Sequence, residues 1–217
     1  MRPQIAGVIF SRADLQRALR MRTPPDLFEI RLDRFANCID EIDAATGLLP
    51  APLIITARDP GEGGANHLPL PRRRALLLPF LPHAAWVDVE LQSARSLASV
   101  LRSAEAHGVR TILSFHDFKT TPRAAHLDQI VSRAQSLGAG LIKIATRTDS
   151  RAQLDTLLDF FERHRPLANV VVMGIGRLGR ASRLELARRG CTLNYAHLGS
   201  PATAGQLSVS ELRRSLR

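Results

Sequence analysis

Lysine is nearly missing from this 217-residue sequence: of 30 Lys and Arg residues only Lys119 and Lys143 are lysine, so 28 are arginine. Aromatic residues are also scarce, at 5%, with one Trp and one Tyr. A chain of net charge +10 without aromatic residues between its arginines lacks the stacking platform of a single-strand nucleic-acid binder. The arginines are spread over helical stretches, as in Arg72-Arg73-Arg74 and Arg213-Arg214, and no nucleic-acid partner is expected. Two isolated cysteines, Cys38 and Cys191, exclude a disulfide framework and have no metal-ligand spacing. They point to a reducing compartment, so a cytoplasmic location is expected. No apolar run approaches the ~20 residues of a membrane span. The apolar stretch Ile5–Phe10 is too short for a signal peptide.

What is present is alternation. Short apolar runs are predicted as strands at Ile5–Phe10, Leu27–Leu32, Leu53–Ala57, Trp86–Leu91, Thr111–Phe115, Leu141–Ala145, Val170–Met173 and Thr192–Ala196. Helical spacing predicts Ala13–Arg20, Ile39–Leu49, Pro71–Leu81, Ala94–Ala106, Ala124–Leu137, Ala152–Arg163 and Leu178–Arg189. A last helix, Val209–Leu216, follows Ser208 as N-cap. Eight βα units of nearly equal length, with no linker or composition break, fit an α/β fold: one (β/α)₈ barrel, a TIM barrel, spanning residues 1–217. A doubly wound open sheet alternates in the same way and is the competitor. In a barrel, polar residues at the C-terminal ends of the strands are the informative ones.

Strand 2 ends Glu29-Ile30-Arg31-Leu32-Asp33, which places three charges on one side, either as a buried ion-pair network or as working groups. Strand 3 delivers Arg58 and then a Gly-rich loop with Glu62; strand 4 ends with Asp88 and Glu90. Strand 5 brings His116, suited to proton transfer near neutral pH. Strand 6 buries Lys143 in an apolar run. An ammonium there needs either a depressed pKa or a partner such as Glu29 or Glu90; a desolvated amine is a Schiff-base nucleophile. Gly174–Gly179 spells G-x-G-x-x-G, but no acid stands at the end of the following strand, as a dinucleotide site requires. The better reading is a Gly-rich turn with Ser182 and Arg183 as an anion site at a helix start. After strand 8, residues 199–206 are small and suit a mobile loop, with Gln206 able to meet a hydroxyl.

The succession Glu-x-Arg-x-Asp, Thr-x-Arg…Glu-Gly-Gly, Asp-x-Glu-Leu, Ser-x-His-x-Phe…Thr-Pro, Lys-Ile-Ala, Met-Gly…Ser-Arg and Gly-Gln resembles the type I 3-dehydroquinate dehydratases, over nearly the whole chain. The resemblance implies a hydro-lyase of the shikimate pathway, serving aromatic amino acid biosynthesis. Lys143 would form an imine with 3-dehydroquinate and His116 would shuttle the proton. Glu62 would orient His116. Arg183 would clamp the substrate carboxylate, while Glu29, Arg31, Arg58 and Gln206 hold ring hydroxyls and Phe118 and Met173 form apolar walls. No metal or organic cofactor is implied, and the resemblance allows a homodimer.

The sequence departs from that family at the last loop. The usual Ser-Ala-Pro-Gly-Gln reads Ala202-Thr203-Ala204-Gly205-Gln206, leaving Thr203 or Ser200 as the nearest hydroxyls. Two alternatives stand beside this reading. One is a class I Schiff-base aldolase or lyase of another carbonyl substrate; the other is a degenerate, low-activity dehydratase homologue.

Overall fold

The computed structural model describes residues 3–216, so Met1, Arg2 and Arg217 of the expected 1–217 span lie outside the described residues. Strands and helices alternate as β1 (Gln4–Ile9), α1 (Arg12–Leu19), β2 (Leu27–Arg31), α2 (Ile39–Thr46), β3 (Leu53–Thr56), α3 (Leu70–Leu77), β4 (Trp86–Glu90) and α4 (Ala98–Ala106). They continue as β5 (Arg110–Asp117), α5 (Ala124–Ser136), β6 (Leu141–Arg147), α6 (Arg151–His164), β7 (Val170–Ile175), α7 (Gly179–Arg188), β8 (Leu193–His197) and α8 (Val209–Ser215). All ladders are parallel, and the strand order β7-β6-β5-β4-β3-β2-β1-β8 wraps the sheet into a (β/α)₈ barrel. The consecutive order from β7 to β1, with β8 returning beside β1, is the cyclic order of a barrel and not the reversed order of a doubly wound open sheet. One seam is left: β7 and β8 are the ends of the order and share no ladder.

Two layers of apolar side chains hold the wall. Residues such as Ile30, Ile55, Val87, Ile144 and Val172 are buried where the strands meet the surrounding helices. Helix termini are fixed locally. Ser150 with Gln153 and Ser208 with Glu211 form reciprocal capping boxes at the starts of α6 and α8.

Several boundaries differ from the predicted ones, for identifiable reasons. The helix expected over Pro71–Leu81 ends at Leu77, and a 3₁₀ segment Leu78–His83 follows, because Pro79 and Pro82 cannot continue an α-helical ladder. The helix expected to start at Ala94 starts at Ala98, after a run of turns. Gly47 closes α2 three residues into the expected tail. β5, β6 and β7 each run past their expected ends, so His116 lies within a strand and not in the loop beyond it.

Candidate active site

The C-terminal half of the barrel lumen is filled by charge. Lys143, on β6, is 4% exposed. Its Nζ lies 2.8 Å from Asp88 Oδ2, 3.6 Å from Glu29 Oε1 and 4.1 Å from the centre of the Tyr195 ring. Of the two partners considered from sequence, Glu29 is present and Glu90 is not. Glu90 belongs instead to Arg58, which donates from Nη1 to Glu90 Oε1 at 3.1 Å and from Nη2 to Asp88 Oδ2 at 2.8 Å. Ser114, the β5 residue in register with Lys143, donates to Asp88 Oδ1 at 2.6 Å. Thr56 donates to Glu29 Oε1 at 2.8 Å. Burial alone would raise the Asp88 pKa, but Arg58 and Lys143 outweigh it and hold the carboxyl well below the usual range. The same exchange keeps Arg58 charged: burial opposes its charge, while Asp88 and Glu90 more than restore it.

Above Lys143, on the neighbouring strand, stands His116. Its backbone N–H and its Nδ1 both meet Glu62 Oε2, at 3.0 and 2.9 Å. Glu62 ends a 3₁₀ turn, Pro60–Glu62, capped by Asp59, whose Oδ1 accepts from the Gly61 N–H at 2.8 Å. Burial pushes the Glu62 carboxyl up to about 8, against the opposing charge of Arg58. Burial also drives the His116 pKa well below the imidazole range, aided by Arg58 and Lys143. Both groups therefore favour the uncharged form near neutral pH. With Nδ1 committed to Glu62, Nε2 is the ring nitrogen left for chemistry.

The two glycines after Glu62 are steric requirements. Gly63 has φ of 85°, and a Cβ there would come within 2.8 Å of Phe118 Cζ. A Cβ on Gly64 would overlap the Arg58 carbonyl. Phe118 thus lies on Gly63, stacks on His116 with an interplanar angle of 12°, and is 38% exposed at the rim.

Arg183 sits in the first turns of α7 and is buried. Its Nη1 donates to the Tyr195 carbonyl at 3.2 Å, and its Nε has no partner. Among the described residues no carboxylate pairs with it. Burial lowers its pKa to about 10, so it is a desolvated cation with spare donors. Ser182, expected to share that anion site, is already engaged: its Oγ accepts from the Gly174 N–H at 3.0 Å and donates to the Gly179 carbonyl at 2.8 Å. Gly174 is glycine for this reason, since a Cβ would overlap Ser182 Oγ.

The remaining expected residues are placed as follows. Met173 is buried on β7, in register with Ala145 of β6. Arg31 makes a two-nitrogen contact to Asp33, at 2.9 and 2.8 Å, and reaches the Gly63 carbonyl at 3.1 Å. Asp33 does not extend β2; it lies in a 3₁₀ turn, fully buried, and also accepts from the Ala65 N–H at 2.9 Å. Gln206 is turned onto its own loop, where its Oε1 accepts from the Ala202 N–H at 2.8 Å. Thr203 lies in the same loop, its carbonyl accepting from the Gln206 N–H at 3.2 Å. Asp88 and Ser114 were legible as strand-end polar residues but without partners. Tyr195 was missed, though strand alternation through the β8 end would have pointed to it. A surface hollow of about 880 Å³ lies at the opposite end of β7, and its two charged residues, Glu162 and Arg165, pair with each other at 2.8 Å.

Comparison with known proteins agrees over the whole length. The family model Type I 3-dehydroquinase matches residues 11–217. A 3-dehydroquinate dehydratase of Thermococcus gammatolerans is 35% identical over 221 residues, covering 98% of this chain and 97% of the relative. The crystal structure of a 3-dehydroquinate dehydratase from Geobacillus kaustophilus superposes with a TM-score of 0.89 at 25% identity, covering 100% of this chain and 90% of that one. A type I enzyme from Clostridium difficile, solved with covalently modified comenic acid, gives a TM-score of 0.87 at 25% identity, over 99% and 91% of the two chains.

Proposed function

The chain belongs to the type I 3-dehydroquinase family, and on that premise we propose that it converts 3-dehydroquinate to 3-dehydroshikimate through an imine on Lys143. The observation that carries this reading is the seating of the Lys143 amine between Asp88 and Glu29, one lumen layer below a neutral His116 tied to Glu62.

As Lys143 attacks the C3 ketone its ammonium passes one proton to His116 Nε2; His116 returns that proton to the carbinolamine hydroxyl, which leaves as water and gives an iminium. The iminium withdraws electrons and acidifies the C2 hydrogen, which His116 Nε2 removes to leave an enamine. The enamine electrons then expel the C1 hydroxyl, which takes the proton from His116 and departs as water. Hydrolysis of the iminium restores the lysine and releases the enone. Glu62, bound to Nδ1, keeps the imidazole oriented. Asp88, held anionic, offsets the positive charge on the lysine nitrogen throughout.

Arg183 supplies the carboxylate site, since a buried guanidinium without an acid partner gains most from an anionic ligand. Glu29 and Arg31 face the ring hydroxyls, with Phe118 and Met173 as apolar walls. Arg58 reaches a hydroxyl only by releasing one of its present partners. Gln206 and Thr203 reach the ring when their loop closes and the Gln206–Ala202 contact opens.

Borohydride reduction in the presence of 3-dehydroquinate, followed by intact mass and peptide mapping, tests the imine. A covalent adduct on Lys143, absent in Lys143→Ala, is expected. No adduct on folded wild-type protein at saturating substrate overturns the proposal.

A further inference from the structure

Arg73 lies on α3, outside the barrel wall, between two exposed arginines, Arg72 and Arg74. It is nevertheless 1% exposed, on the same helical stripe as the buried Leu76 and Leu77. Its guanidinium grips two carboxylates on different elements. Nη1 donates to Glu90 Oε2, at the end of β4, at 2.6 Å. Nη2 donates to Asp59 Oδ2, in the loop after β3, at 2.7 Å, and to Ser93 Oγ at 3.0 Å.

Those two carboxylates are the roots of the two halves of the site. Glu90 Oε1 accepts from Arg58, which in turn holds Asp88, the partner of Lys143. Asp59 caps the 3₁₀ turn whose last residue is Glu62, the partner of His116. The Asp59 N–H also donates to Glu90 Oε1 at 2.9 Å, which closes the link between the halves. A fork with two separate nitrogens is required to hold both acids at once; an ammonium offers one point.

We infer that Arg73 is a positioning residue for the dehydration: it fixes the lysine half and the histidine half of the site relative to each other without touching substrate. The inference rests on the Schiff-base reading above. It also has an electrostatic side. The groups facing Glu62 and His116 are Arg31 from β2, Arg58 and Asp59 from the β3 end, Asp88 and Glu90 from β4, and Lys143 from β6. Removing Arg73 leaves Glu90 undercompensated, and Glu90 already opposes ionisation of Glu62.

The test is steady-state kinetics over pH for wild type, Arg73→Met and Arg73→Lys, each checked for folding by thermal melting. Arg73→Met is expected to lose roughly 10- to 100-fold in kcat, the scale of a small misplacement of reacting groups, with KM changed little. Its pH–rate profile should move upward. Arg73→Lys, which keeps the charge but not the fork, should return the profile towards wild type while recovering kcat only in part. Unchanged kcat and profile in folded Arg73→Met overturn the inference, as does a loss of activity that only tracks the unfolded fraction. If Arg73→Met does not fold, Asp59→Asn cuts the arm to Glu62 alone, and wild-type kcat in that variant overturns the inference. Wild-type protein that forms no product overturns the Schiff-base reading and takes this inference with it, an outcome separate from an active wild type with indifferent variants.

Discussion

Lys143 and Asp88 meet at 2.8 Å across an intervening strand, β5, whose Ser114 donates to the other oxygen of the same carboxylate. Asp88 therefore carries Lys143, Arg58 and Ser114 at once, and it is the hub of the lumen charges. The two partners are unequal when removed. Asp88→Ala leaves two buried cations facing each other and should destabilise the protein by about 3–5 kcal/mol. Lys143→Met leaves Asp88 still held by Arg58 and Ser114 and should cost far less, while abolishing imine formation. Urea unfolding of both variants at neutral pH checks the order; an equal or reversed cost would remove Asp88 from that central place.

Arg183 presents the opposite case, a buried cation that no acid among the described residues offsets. Replacing it by Met should raise the stability of the ligand-free protein by about 1–3 kcal/mol, the scale of an unsatisfied buried polar group. The same change should raise KM by roughly 100-fold or more, since the ligand carboxylate loses its partner. Thermal melting reads the first effect and steady-state kinetics the second, and a cyclic hydroxy-carboxylate should raise the melting temperature of the wild type alone.

Glu62 gives stability a pH dependence whose sign is fixed by its raised pKa. The ordinary value of 4.5 rises to about 8 in the fold, so its contribution is complete below about 4.5 and is lost as pH rises through about 8. His116, with a depressed pKa, acts in the other direction and removes stability as pH falls below about 6.5. Glu62→Gln abolishes the first effect. Its stability relative to wild type should grow by a few kcal/mol between pH 5 and pH 8. Unfolding free energies of both proteins at three pH values in that range suffice, and a flat difference would contradict the burial of an uncharged carboxyl.

Tyr195 combines a ring that faces the Lys143 amine with a buried hydroxyl that has no partner. Tyr195→Phe keeps the ring contact and removes the orphaned group. It should stabilise the protein by about 1 kcal/mol and leave the borohydride-trapping rate within roughly twofold. A large fall in trapping would assign the hydroxyl a part in the chemistry.

Much of this site is legible in the sequence because barrel strands put alternate residues into the lumen. Glu29, Asp88 and Lys143 each interrupt an apolar run, His116 ends one, and all four stand out against it. Residues that reach the site from outside the strands are not readable in this way. Arg73 sits in a triplet that looks like solvated basic surface, and only its spacing to Leu76 and Leu77 marks the buried face. Asp33 follows the alternation of β2 on paper, but the chain leaves the strand after Arg31 and folds the carboxyl back onto it. Gln206 follows the eighth strand as its motif implies, but its side chain is turned onto its own loop, where it meets the Ala202 N–H.

The seam between β7 and β8 gives the barrel a clasp. Seven ladders join eight strands, and the last junction is bridged by side chains: Arg183 of α7 reaches the Tyr195 carbonyl of β8, and the Cys191 thiol lies 3.8 Å from the Val172 carbonyl of β7. Along this line, among the described residues, no backbone ladder joins the two strands. Arg183 is both a stitch across that line and the proposed carboxylate site, so a ligand that engages it tightens the cylinder at its weakest join. Amide exchange in the facing strands β7 and β8 is therefore expected to slow when the pocket fills.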